Sequence, residues 1–497
     1  MRRAFLAVLA IASVLSSCSG SRKAGYDISY QVSFEPEARY IDVDMRFIPA
    51  RGGDKNVIFK MPVWAPGYYI IMDYPKYLTG FEAFDAEGKA LSWEKSGKNS
   101  WIVEKADTMT VRYKVFADAM SVADSKVTED GAFVAPNGVF MYVEVNHPVT
   151  VSFVLPDGWN RISTSLKCKD GIYYAPDFDI LYDSPMMIGN HFSKTIEQDG
   201  HLYEFAVRTP QGFEESHIAE DFLAGVREAV KIFGDTPYDS YHLLLLGRGP
   251  GGLEHQSSQA DYTAGHWDFD TREEYLSELR FISHEYFHNY NVKAIRPVEL
   301  GPFDYDKEVF TPLLWMSEGF TCYYESLILY RAGVETEKEH LDFLARYIRS
   351  TETTEGRKHQ SLRQGSYDIW LNFFNRSANA SQVTISYYVK GPVLGFLMDL
   401  KIQEVSGGKK SLDDLMNLLY WRYFKDKKRG FTEEEFWSAA DEVAGGSLEQ
   451  IRRYVDTTEE IDYESILSPA GYVLDRENWT LSRVGDASSV DLTEDGQ

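Results

Sequence analysis

Two histidines four positions apart, His284 and His288, with Glu285 beside the first, constrain this chain more than any of its bulk properties. The spacing turns both imidazoles to one side only if the segment is helical, because one α-helical turn takes 3.6 residues. The neighbouring residues agree. Thr271 and Glu274 form a capping-box pattern, and Tyr275, Leu276, Leu279 and Ile282 supply an apolar stripe, so residues 271–290 are predicted to be a helix. Two imidazoles so arranged can share one metal ion, zinc at about 2.0–2.1 Å with one position left to water, while the Glu285 carboxylate handles a proton. A polar helix end with two surface histidines would produce the same string, so a third ligand is the deciding feature.

One extension of the motif, the metzincin form, requires glycine at 291 and histidine at 294; the chain has Asn291 and Ala294, which excludes it. The gluzincin form takes a glutamate from a second helix downstream. The segment Leu314-Trp315-Met316-Ser317-Glu318-Gly319-Phe320-Thr321-Cys322-Tyr323-Tyr324 offers Glu318. Pro312 suits the first turn of a helix running through Tyr323, Leu327 and Leu329 to a stop at Gly333. A glutamate in so apolar and aromatic a setting is costly unless its charge is paired, as a zinc ion would pair it. The bland alternative is a solvated glutamate favoured by the positive end of a helix dipole.

His284-Glu285-Tyr286-Phe287-His288 with Asn291-Val292-Lys293-Ala294-Ile295-Arg296-Pro297, followed by Trp315-Met316-Ser317-Glu318-Gly319-Phe320-Thr321, resembles the glycyl aminopeptidase family of gluzincin zinc metallopeptidases. Two further segments are similar to the same family. Gly251-Gly252-Leu253-Glu254-His255 follows an apolar run, Tyr241 to Leu246, that reads as a buried strand, and Ser386-Tyr387-Tyr388-Val389-Lys390-Gly391-Pro392 lies downstream. Met61-Pro62-Val63-Trp64-Ala65-Pro66-Gly67-Tyr68-Tyr69 is similar to the family's N-terminal domain.

The resemblance implies a role for each motif. His284, His288 and Glu318 would hold one Zn²⁺ per chain, and Glu285 would act as general base and then general acid. Gly251, Gly252 and Glu254 would line the substrate, the Glu254 carboxylate holding the free α-amine of a peptide, a contact that also limits how many residues fit beyond it. Tyr388 would stabilise the oxyanion, with Tyr387 the near alternative. Outside this motif context the glycines read as an ordinary turn and either tyrosine as core or surface. The implied activity is removal of small N-terminal residues, Gly or Ala, from peptides with a free N-terminus. An endopeptidase is the rival within the enzyme class. A catalytically inactive peptide- or glycan-binding envelope lipoprotein is the rival outside it, and the intact set His284, Glu285, His288, Glu318 and Tyr388 argues against that decay.

At the N-terminus Arg2 and Arg3 precede an apolar stretch from Phe5 to Leu15 that is too short to cross a bilayer, which takes about 20 residues. Residues 1–17 read as a signal peptide. Leu15-Ser16-Ser17-Cys18 resembles the bacterial lipobox, so Cys18 is the expected lipidation site, residues 18–24 a linker, and the protein anchored to a membrane through Cys18 without spanning it. Ser19 and Gly20 differ from the acidic residue associated with inner-membrane retention. The expected home is therefore the bacterial cell envelope, at the periplasmic face of the outer membrane. Cys168 and Cys322 are expected to be buried free thiols, since nothing pairs them. A formal charge of −25 without a basic stripe argues against nucleic acid as a partner.

The chain is too long for a single core, and the fold class expected is multidomain α+β. Residues 25–208 alternate apolar and polar side chains, as at Ile28, Tyr30, Val32 and Phe34 and at Ile41, Val43, Met45 and Phe47, and read as an N-terminal β-sandwich-like domain whose many aromatics are core. Residues 209–392 are expected to form a thermolysin-like gluzincin catalytic domain, opening with an amphipathic helix around Phe222, Leu223, Val226, Val230 and Phe233. Residues 393–475 read as a C-terminal helical domain and 476–497 as a polar tail. The family usually carries a PDZ domain after the helical region, and the residues following Tyr472 are too few for one.

Overall fold

The alternation seen around residues 28–34 and 41–47 builds the strands Asp27–Glu35 and Tyr40–Ile48, with Ile28, Tyr30, Val32, Phe34, Ile41, Val43, Met45 and Phe47 all turned into one core. This computed structural model describes residues 27–372 and 379–485; the signal-peptide, linker and Cys18 expectations lie outside them. The two strands pair antiparallel at the centre of a seven-stranded sheet. A three-stranded sheet (Asn56–Lys60, Ser100–Glu104, Trp93–Lys95) and a four-stranded one (Arg161–Ser163, Met186–Gly189, Gly131–Val134, Lys126–Val127) contribute Phe59, Trp101, Phe133 and Met187 to the same core.

A five-stranded sheet follows, in the order Phe192–Gln198, His201–Val207, Ser240–Arg248, Ser258–Thr263, Gly252–Glu254. It divides the two halves of the molecule. Along Ser240–Arg248, Tyr241, Leu243 and Leu245 face a helical core, whereas Leu244 and Leu246 face the N-terminal β core. The parallel pairing of His201–Val207 with Ser240–Arg248 needs a crossover, and the amphipathic helix Ile218–Phe233 supplies it. Helices Arg272–Phe287, Leu314–Arg331, Glu337–Thr353 and Tyr387–Val405 stack beyond, joined by shorter C-terminal helices. None of the described helices is long and apolar enough to cross a membrane.

Three expected boundaries move. Strands Phe192–Gln198 and His201–Val207 belong to the five-stranded sheet, so the N-terminal domain ends before residue 208; their alternation is like that of the strands before them, and only long-range pairing assigns them. The boundary at 392 falls inside the continuous helix Tyr387–Val405, where packing overrides Pro392 as a local breaker. Residues 476–485 are the turn and second strand of a hairpin, Tyr472–Asp475 with Thr480–Arg483, and not part of a tail. Cys322 is buried, but Cys168 is exposed because it sits on the short strand Lys167–Lys169 at the edge of its sheet.

A polar knot ties the halves together. Glu204 accepts from Ser163 (2.6 Å), Ser193 (2.8 Å) and His242 Nδ1 (2.7 Å), and Ser163 meets His191 Nε2 at 2.8 Å. Burial holds the His191 imidazole down to about 4, with Glu204 opposing and Arg208 and Arg161 adding to the effect. The unfolded chain takes up that proton near pH 6.5 and the folded chain only near 4. Stability is therefore expected to fall as pH drops through this window, by at most on the order of 3 kcal/mol. His191→Gln should flatten that limb of a Tm-against-pH curve; a variant curve that overlays the native one would remove His191 as the cause.

Candidate metal centre and active site

The helix Arg272–Phe287 begins at the Thr271–Glu274 capping box, both halves of which form, and carries His284 and Glu285 in its last turn. Its regular part ends at Phe287, short of the expected residue 290. His288 is the C-cap, still bonded to His284 O at 3.3 Å, and the chain then tightens through Asn289 and Tyr290 toward Asn291. The Glu318 helix starts at Leu314, after Pro312, and ends before Gly333, whose φ of 73° suits the chain reversal there.

His284, His288 and Glu318 converge in the interior, with relative exposures of 7%, 1% and 4%. His284 Nε2 lies 3.0 Å from His288 Nε2, and Glu318 Oε2 lies 3.5 and 3.2 Å from those two nitrogens. Three donors held tetrahedrally at about 2.0–2.1 Å from one zinc would sit about 3.3–3.4 Å apart, so the spacing fits. The hydrogen bonding fits as well. His284 Nδ1 donates to Glu325 Oε2 (2.7 Å) and His288 Nδ1 to the Asn291 carbonyl (2.7 Å), which leaves both Nε2 lone pairs facing inward. Glu318 Oε2, buried at the same point, makes no hydrogen bond.

Glu325 and Asn291, the hydrogen-bond partners of the two candidate histidine ligands, are not signalled as such by the sequence. Glu325 stands two turns after Glu318 on the same helix, a spacing that could have pointed to it. In the sequence Asn291 excludes one motif and opens the stretch Asn291–Pro297 that carries the family resemblance, neither of which reveals its contacts. In the structure its side chain also donates to the carbonyls of Met316 and Ser317 at 3.1 and 2.9 Å, fastening the end of one ligand helix to the start of the other. The buried Arg280–Glu335 pair, bonded at 2.8 and 2.9 Å, fastens the far end. Cys322 Sγ rests 3.7 Å from His284 Nδ1, outside the inward-facing donor set.

Two glycine contacts bring the remaining side chains in. A Cβ on Gly252 would run into the Glu285 carboxylate, so the edge strand Gly252–Glu254 passes directly over Glu285, the candidate base; Gly251, at φ 86°, makes the turn into it. This sets Glu254 on the same side, with Glu254, Glu285 and His288 each offering an atom within 4.8 Å of the others. A Cβ on Gly319 would lie 2.5 Å from Gly391 Cα, and one on Gly391 would lie 2.7 Å from Gly319 Cα. The Glu318 and Tyr388 helices thus touch backbone to backbone. Tyr388, in the first turn of its helix, has its ring 6.4 Å from that of His284 and feels the charges of Glu318 and Glu254 behind the effect of burial; Tyr387 turns into the core. Burial raises the Glu285 carboxyl well above the usual range; His284 opposes this, while Asp261, Glu254 and Glu318 add to it. A carboxylate so placed is a strong proton acceptor.

Glu325→Ala should weaken zinc binding about 10- to 100-fold by freeing the His284 ring, in a competition titration against a chromophoric chelator. Unchanged affinity would show that Glu325 does not orient the ligand.

The description M61 glycyl aminopeptidase matches residues 277–394, and Peptidase M61 N-terminal domain matches residues 29–190. No curated protein matches the sequence. Among solved structures, an aminopeptidase N family protein from Idiomarina loihiensis superposes with a TM-score of 0.85 at 24% identity, over 90% of this chain and 79% of that one. An M1 zinc metallopeptidase mutant from Deinococcus radiodurans, bound to a Tyr-Ser-Ala substrate, gives 0.53 at 13% identity over 88% and 95%. Legionella pneumophila aminopeptidase A in complex with aspartic acid gives 0.53 at 13% over 87% and 50%. At these identities the likeness is one of fold. Matched in both its N-terminal and its catalytic region, over more than half its length, the chain belongs to the M61 peptidase family.

Proposed function

We propose that this peptidase is a zinc aminopeptidase that removes small N-terminal residues, glycine or alanine, from peptides in the bacterial cell envelope. The observation that carries the reading is the Glu254 carboxylate, buried on an edge strand and within 4.8 Å of Glu285 and His288. A carboxylate there pairs with an ammonium group one residue from the reacting carbonyl, and a peptide with a free α-amine presents one at that distance.

His284, His288 and Glu318 would hold the zinc, which when bound would supply a Lewis acid for the scissile carbonyl and for a water. Glu254 accepts hydrogen bonds from the α-ammonium and fixes the register. Glu285 takes the proton of the attacking water and delivers it to the leaving amine, acting first as base and then as acid. Tyr388 donates a hydrogen bond to the oxygen on which negative charge develops. Localisation rests on the sequence alone: a lipid at Cys18 anchors the enzyme to the outer membrane, facing the periplasm.

Glu285→Gln is expected to retain one zinc per chain by elemental analysis and lose about 10²- to 10⁴-fold in kcat, whereas Glu318→Ala loses the metal. An active Glu285→Gln protein would sink the assignment of the base. Mass spectrometry of a peptide panel, each free N-terminus matched with its acetylated twin, tests the class. Loss of single residues from free peptides only, abolished by a chelator, is the expected result. Internal cuts in both twins would make the protein an endopeptidase, and no cleavage at all would favour a binding lipoprotein.

A further inference from the structure

Trp64 and Tyr69 belong to the N-terminal domain by sequence but not by packing, whereas Ala65 and Tyr68 between them stay with its core. Trp64 and Tyr69 leave that domain's core and sit in the catalytic one, 0% and 4% exposed. Trp64 donates its indole N–H to the Asp304 carbonyl (2.8 Å), its ring centroid lies 6.2 Å from that of Tyr69, and both rings meet Trp370, at 5.3 and 5.7 Å. Between them Ala65-Pro66-Gly67-Tyr68 makes a tight turn, closed by Tyr68 N–H to the Ala65 carbonyl at 2.9 Å, with proline second and glycine third at φ 90°. That is the residue pattern of a type II turn, which needs glycine at its third position.

The turn ends on the substrate anchor. A Cβ on Gly67 would lie 2.7 and 2.9 Å from the two Glu254 carboxylate oxygens and 2.7 Å from Leu253, so the turn's backbone lies directly against that carboxylate. Tyr69 comes next in the chain. Its ring, two residues after the glycine that touches Glu254, is buried against Trp64 and Trp370. If an α-amine rests on Glu254 and the adjoining carbonyl lies at the His284, His288 and Glu318 cluster, the first residue's Cα falls between those two ends, with the Gly67 turn against the amine end.

We propose that the Pro66–Gly67 turn and the Tyr69 ring, supplied by the N-terminal domain, form the wall that limits the first substrate residue to a hydrogen or methyl side chain. This rests on the aminopeptidase reading above. The ring is packed against Trp64 and Trp370, which oppose its moving aside for a larger side chain. Tyr69 acts here by volume, and its hydroxyl is not required for the discrimination.

The test compares kcat/KM for alanine and leucine p-nitroanilides in the native full chain, Tyr69→Phe and Tyr69→Ala. Tyr69→Ala is expected to raise the leucine-to-alanine ratio at least about 10-fold, the scale of discrimination by pocket volume, while Tyr69→Phe leaves the ratio where it was. Calorimetric binding of alanine amide and leucine amide to Glu285→Gln, with and without Tyr69→Ala, should show the same gain for leucine. A folded Tyr69→Ala protein with an unchanged ratio overturns the wall. Should Tyr69→Ala not fold, the native enzyme decides on glycine, alanine, 2-aminobutyrate and norvaline substrates: a steep fall after alanine supports the wall, and a rate that rises smoothly with chain length overturns it. Internal cleavage of acetylated peptides, with no release of first residues, overturns the aminopeptidase reading itself and is a distinct signature.

Discussion

A carboxylate and two imidazoles meet in the interior with their free atoms 3.0 to 3.5 Å apart, and the surrounding helices are arranged to hold them there. Burying such groups without compensation costs several kcal/mol per ion. The outer atoms of both imidazoles are satisfied by Glu325 and the Asn291 carbonyl, and the inner atoms are left to one another. That asymmetry is what a metal site requires and what a structural ion pair avoids. Arg280 with Glu335, and Asn291 with Met316 and Ser317, then act as braces that keep the two ligand helices in register.

Around this centre, glycines decide how close the other parts come. Gly252 lets an edge strand lie on Glu285, Gly319 and Gly391 let two helices touch, and Gly67 lets a loop from the other domain rest on Glu254. At each of these positions a single methyl group would separate the functional side chains. The five-stranded sheet makes the arrangement possible, because its two faces belong to different cores and its edge strand opens on the boundary between them. The candidate site is therefore bordered by segments that belong to two different cores.

Much of this was legible from local residues. The Thr271–Glu274 box announced the histidine helix, alternation announced the strands at 28–34 and 41–47, and Pro312 and Gly333 bracketed the Glu318 helix. The failures share one physical cause. Strands 192–207 carry the same alternation whichever sheet they join, so the expected boundary at 208 came too late. Pro392 signals a break that helix packing at Gly391 overrides. Cys168 looked like a core thiol until its strand proved to lie at a sheet edge. Tyr69 is one of many aromatic residues in the β domain, and nothing near it in the chain says that it crosses into the other core.

The sequence by itself determined which residues can do the chemistry: a helix places His284, Glu285 and His288 relative to one another through bonds no longer than one turn, and local caps are enough to form it. Only the tertiary structure decided what those residues face. The partner of His284, the approach of the Tyr388 helix to the Glu318 helix and the packing of Gly67 against Glu254 all join segments far apart in the chain. Such contacts are set by backbone approach and shared burial, and no local propensity encodes either.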